Sequence, residues 1–126
     1  MIASDLYDLQ QYITSEIKVN CSFSDDTSGV DTYPLIKILM VEDYTITTSN
    51  QKTLTIDLPL DLHIVVSEGD ELKALEVFER LLLKINQYKT HTGSLLEGSG
   101  RSEYVEETGT FEISVLYNYK QIIQDT

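Results

Sequence analysis

Thr53 to Val66 reads TLTIDLPLDLHIVV. Leu54, Ile56, Leu58, Leu60, Leu62 and Ile64 alternate with Thr53, Thr55, Asp57, Pro59, Asp61 and His63. Period-2 alternation puts the apolar side chains on one face of a strand and the polar ones on the other. A helix would scatter those six apolar residues around its circumference. At about 3.3 Å per residue the run would span roughly 45 Å, so a bend or bulge is expected, with Pro59 as its place. Proline cannot donate to a ladder, so the strand should be an edge there or project beyond its neighbours. The stretch describes a sheet with one apolar and one wet face.

The remaining elements follow from this one. Ser4 to Lys18 reads as an amphipathic helix, with Leu6, Leu9, Ile13 and Ile17 as its stripe, Tyr12 widening it and Ser4 as N-cap. Asn20 to Thr32 is polar and reads as a loop whose acidic spacing does not fit a calcium site. Leu35 to Val41 is a strand that is apolar on both faces, Ile36, Ile38 and Met40 against Leu35, Leu39 and Val41. Such a strand is buried on both sides or meets a partner chain. Tyr44 to Thr48 is a short strand, and a turn at Ser49–Lys52 joins it to Thr53–Val66 as an antiparallel hairpin.

Glu71 to Tyr88 is a second helix, capped by Asp70 or Ser67. Its main stripe is Leu72, Leu75, Phe78, Leu82 and Ile85, with Val77, Leu81 and Leu83 outside it. That arc is wider than packing on one sheet face needs. Either the first helix covers the surplus or an oligomer contact does. Lys89 to Glu103 reads as a loop, and the last strand alternates Phe111, Ile113, Val115, Tyr117 and Tyr119 with Glu112, Ser114, Leu116, Asn118 and Lys120. The expected fold is α+β, a single domain over residues 1–126. It has one antiparallel twisted sheet, two helices packed mainly on one face, and the order α-β-β-β-α-β.

Composition narrows the function classes. The 126 residues carry 21 acidic and 9 basic side chains, a net charge of −12. That disfavours a protein that grips a nucleic-acid backbone, which needs a basic footprint. No apolar run approaches the roughly 18 residues of a membrane span, and the start lacks the pattern of a secretory signal. The lone Cys21 allows no internal disulfide and suits a reducing cytoplasm. The best catalytic candidates are Asp57, Asp61 and His63 on one polar strand face. Residues two apart on a strand stand about 7 Å apart, so only Asp61 and His63 could share an ion, and a wet face carries such residues anyway. His91 reads as a surface residue. No cofactor fingerprint, catalytic residue or metal site is assigned.

The order and texture of these segments resemble one family. Tyr33-Pro34-Leu35-Ile36-Lys37-Ile38, then Tyr44, then the long alternating strand, then Glu68-Gly69-Asp70-Glu71-Leu72, is similar to the tail-terminator and tail-completion proteins of long-tailed bacteriophages. So is the ending Tyr104-Val105-Glu106-Glu107-Thr108-Gly109 with its run to Tyr119. The resemblance implies a hexameric ring at the tail–neck junction of the virion, assembled in the host cytoplasm. The ring would cap the tail-tube protein, stop tube growth and offer a docking face to the head–tail connector or neck protein. DNA would pass through its channel without sequence-specific binding, and no membrane is involved. A ring interface is head-to-tail. It is expected on Leu35, Leu39, Val41, Val77, Leu81 and Leu83. Axial contacts are expected at Phe23, Asp25, Asp26, Leu95 and Leu96, and a lumen wall at Glu103, Glu106 and Glu107. The alternatives are a head–tail joining protein of the same fold and a small acidic monomeric binding or inhibitor domain.

Overall fold

The computed structural model describes residues 1–23, 33–40, 43–88, 93–98 and 100–125. Its elements in order are α1 (Ile2–Ile17), β1 (Asn20–Ser22), β2 (Leu35–Met40), β3 (Thr45–Asn50), β4 (Thr53–Ser67), α2 (Glu71–Gln87), β5 (Gly93–Leu95), β6 (Arg101–Val105) and β7 (Thr110–Gln124). β4 is the axis. It pairs antiparallel with β7 along its whole length, from Thr53 opposite Gln124 to Ser67 opposite Thr110. The other edge of β4 is shared: β3 pairs with Thr53–Asp57 and β2 with Leu60–Val65. The other edge of β7 is shared in the same way by β5 and β6.

Pro59 sits where its chemistry does least harm. It falls in the gap between the β3 and β2 pairings, where none of the described residues pairs with β4 on that side. The expected bulge is absent, since the register with β7 runs through Pro59 without a shift.

One core joins the two helices to the apolar sheet face. Leu60, Leu62, Ile64 and Val66 of β4 stand beside Tyr117, Val115, Ile113 and Phe111 of β7 and beside Ile38 and Ile36 of β2. These residues cluster with Leu6, Leu9, Ile13 and Ile17 of α1 and with Ala74, Val77, Leu81 and Ile85 of α2. Tyr12 ties the helices together: its hydroxyl donates to the Lys84 carbonyl at 2.7 Å, and its ring lies 4.3 Å from that of Tyr88.

Several expectations are corrected. The fold is α+β, but the described residues form a seven-stranded mixed sheet, because β1 runs parallel to β2. The segments read as loops at 20–32 and 89–103 contain β1, β5 and β6. These strands of three to five residues take their conformation from the neighbour they pair with, β2 or β7, rather than from their own propensity. α1 starts two residues early with Met1 as N-cap, and Ser4 lies inside it, donating to the Met1 carbonyl at 3.0 Å. On α2 the stripe is turned by one residue. Ala74, Val77, Leu81 and Ile85 are buried, while Leu72 is 79% exposed and Leu75 50%.

Candidate assembly surfaces

The catalytic candidates resolve into a closed polar cluster. Register places His63 of β4 beside Ser114 of β7 and Lys37 of β2 on the face opposite the main core, with His63 and Lys37 buried and Ser114 half-buried. His63 Nδ1 donates to Asp61 Oδ2 at 3.0 Å, with Ser114 Oγ 3.2 Å away. Nε2 donates to Glu112 Oε1 at 2.5 Å. Thr110 donates to the second Glu112 oxygen at 2.6 Å, and Ser114 donates to Asp61 Oδ2 at 3.1 Å. Asp57 lies apart, accepting from Asn118 Nδ2 at 3.0 Å.

Each ring nitrogen faces a carboxylate, which can only accept, so serving both at once requires an imidazolium. Burial alone would lower the His63 pKa, but the hydrogen bonds and charges of Asp61 and Glu112 outweigh it and raise it above its ordinary value. A Ser-His-Asp triad needs the serine on one nitrogen and the carboxylate on the other. Here Ser114 and Asp61 share Nδ1 and Glu112 closes Nε2. The arrangement can hold a buried charge between two strands, and it leaves no ring nitrogen open to act as a base. The sequence placed Asp61 and His63 on one face but could not supply Glu112 and Ser114, because strand register is not written in either strand alone. Cys21 is half-buried, and desolvation pushes its thiol up to about 12, away from reactivity near neutral pH. His91 lies outside the described residues. No group of three or more metal-ligating side chains occurs among the described residues.

Among the described residues, exposed apolar side chains gather in two places in particular, besides single ones such as Tyr7 and Met40. The first is the outer face of α2, where Leu72, Leu75 and Leu83 are exposed. Beside it, a groove runs between α2 and the β5–β6 edge, lined by Leu75, Phe78, Leu82, Leu95, Leu96 and Phe111. The α1 helix packs on the other stripe of α2 and leaves this one uncovered.

The second is a tongue. Beyond Leu58, β4 continues with β3 on one side and β7 on the other, past the last fully buried β4 residue, Leu60. Every residue of β3 is exposed. Tyr44, Ile46, Ile122 and Ile123 stand out from this end, each at least 41% exposed. In register, Ile46, Leu54, Ile56 and Ile123 continue the apolar face of the core. A shallow recess between the tongue and the start of α1 is lined by Met1, Ile2, Ala3, Gln121, Ile123 and Gln124. The two surfaces sit near opposite ends of the β4–β7 ribbon, Phe111 opposite Val66 and Ile123 opposite Leu54, about 40 Å apart at the strand rise.

The expected contact residues divide accordingly. Val77, Leu81 and Leu35 are buried, the first two at 0% exposure, and cannot meet a neighbour. Val77 and Leu81 lie on the inward one of the two apolar stripes of α2, and the sequence does not say which stripe faces inward; Leu35 sits in β2, between β1 and β4. Leu39 is half-buried, Leu83 is exposed, and Val41 lies outside the described residues. Phe23 and Leu96 are exposed and Leu95 is half-buried in the groove, while Asp25 and Asp26 lie outside the described residues. Glu103, Glu106 and Glu107 are exposed at the α2 end of the ribbon, near Glu68, whose amide donates to the Gly109 carbonyl at 2.9 Å. No helix among the described residues is long and apolar enough to cross a membrane. Compared with protein-family models and with curated proteins, the sequence matches none.

Proposed function

We propose that this chain is a structural virion protein of a long-tailed bacteriophage, a tail terminator that forms a hexameric ring, ends the tail tube and presents a docking face to the head. One observation carries the reading. The chain leaves two separate apolar surfaces uncovered, one near each end of its longest strand pair. Contiguous exposed apolar surface marks interaction sites. A ring capping a tube needs two kinds of contact, lateral ones to its neighbours and axial ones to the tube or neck, and two distant surfaces suit that division. The tongue serves the lateral contacts and the α2 groove the axial ones. The acid excess keeps the ring from gripping DNA that passes through it, since like charges repel.

The fold agrees with the same reading at the level of α+β elements with a long alternating strand before the second helix. The test is electron microscopy of particles made without this protein. Overlong, unattached tubes beside tailless heads are expected. Tails of normal length that fail to join heads would overturn the terminator reading and move the protein to the neck.

A further inference from the structure

We infer that the tongue joins successive copies by strand pairing: the outer edge of β3 in one copy docks on the outer edge of Lys120–Gln124 in the next. This rests on the ring reading and adds which edges meet. Among the described residues both edges are bare. Among those residues β3 pairs only with β4, and on the side of β7 away from β4 the described pairing of β5 reaches Tyr119, opposite Gly93. The two edges also lie at one level, since Thr45–Asn50 faces Thr53–Asp57 and the same part of β4 faces Lys120–Gln124. β3 and β7 both run antiparallel to β4, so a rotation that carries one copy to the next brings them together as a parallel pair.

Charge favours this contact. Copies with a net charge of −12 repel one another wherever acid meets acid. No charged residue occurs from Tyr44 to Gln51, and Lys120 is the one charge from Asn118 to Gln124. Exposed edge strands normally carry charge or proline against unwanted pairing. β6, exposed along most of its length, carries Arg101 and Glu103 in that role, and β3 carries nothing of the kind. The side chains fit as well. Ile46 is 54% exposed and Ile123 41%, and both lie on the apolar face of their strands. Pairing the edges at one level sets Ile46 of one copy opposite Gln121 and diagonal to Ile123 of the next, within side-chain reach and against the recess at the α1 start, so each helps to cover the other.

The test is sedimentation velocity of the full chain at rising concentration for the native protein, Ile46→Glu, Ile123→Lys and the double variant. The native chain is expected to form a closed species larger than a dimer. Each single variant should lower the assembled fraction at least tenfold, and the double variant should restore it through a pairing of opposite charges across the seam. Circular dichroism, and the thermal midpoint at a concentration low enough for all four to be monomeric, should stay unchanged, because both positions lie outside the core. A ring indifferent to both substitutions would remove the tongue from the interface and leave the ring standing. A native chain that stops at a dimer, two β3 edges paired antiparallel, would overturn the proposal, and so would one that stays monomeric at the highest concentration. The terminator role is judged separately, by particles lacking the protein.

Discussion

The two halves of the β4–β7 ribbon are built from the same alternating pattern and end in opposite conditions. In the body half, Leu60, Leu62, Ile64 and Val66 are at most 1% exposed. In the tongue half, Leu54, Ile56 and Leu58 continue the same face and are only half-buried. The pairing is equally complete in both. What differs is the cover. α1 has 16 residues and α2 17, so each is about 25 Å long at 1.5 Å per residue. β4 has 15 residues and spans about 50 Å. Helices of this length cover about half of such a strand. Alternation therefore reports a face that favours being covered, and the lengths of the other elements decide how much of it the chain covers by itself.

The largest effect expected within the body is at its polar cluster. His63→Leu keeps the volume but leaves Asp61 and Glu112 facing one another without the imidazolium, and removing one partner of a buried ionic pair costs about 3–5 kcal/mol. The pH dependence has a definite sign. The folded His63 pKa lies above its ordinary value of 6.5, so folding favours the protonated ring. Its contribution is full below about pH 6.5 and fades as pH rises through the folded pKa. Thermal midpoints of the native chain and His63→Leu should be farthest apart near pH 6 and approach one another as pH rises. A constant gap would mean that folding leaves the His63 pKa unchanged, and a gap that moves the other way as pH rises would mean that the ring is neutral in the folded chain.

A direct way to break the comparison is to truncate the same residue type in each half. Leu62→Ala, at a fully buried site, should cost about 2–5 kcal/mol in denaturant unfolding. Leu54→Ala, half-buried in the tongue, should cost well under half of that, since less area leaves water when it folds. Equal losses would mean that the tongue is as much a part of the core as the body.

How much of this was legible beforehand follows the same division. The alternation of Leu54 to Ile64 and of Phe111 to Tyr119 gave the two-faced sheet and the α1 stripe gave one covering helix, because those signals are local. The register of β4 on β7 is non-local. It alone brings Glu112 and Ser114 to His63, and neither strand encodes it by itself. On α2, Leu72, Leu75, Phe78 and Leu82 are as helically periodic as Ala74, Val77, Leu81 and Ile85. The larger side chains suggested the inward stripe, whereas the small Ala74 marks it. The tongue was hidden for a related reason: strand length is visible in sequence, but its excess over the helices appears only once they are stacked on it.

Gly93 tests the far edge of the body. A Cβ built there would lie 2.5 Å from the Tyr117 hydroxyl and 2.6 Å from its ring. Tyr117 is 1% exposed and has no room to retreat. Gly93→Ala should therefore destabilise by about 1–3 kcal/mol, as overpacking does, although alanine is otherwise the better strand residue of the two. Unchanged stability would show that β5 can lift off β7 without disturbing the core.

The smallest effect is expected where the functional consequence is expected to be greatest. Ile46→Thr changes an exposed residue of β3 to a smaller, polar β-branched residue, so strand propensity is kept and little buried apolar area is lost. The isolated monomer should keep its stability within about 0.5 kcal/mol, with an unchanged denaturant slope. Amide exchange in Thr45–Asn50 should be fast in the monomer and slow once copies assemble, while exchange in Leu60–Val66 should be slow in both. A loss above about 1 kcal/mol from Ile46→Thr, or slow exchange along β3 in the monomer, would place the tongue inside the cooperative unit of a single chain. The difference between the two halves would then be one of exposure alone, and the case for the tongue as a surface awaiting a neighbour would lose its physical basis.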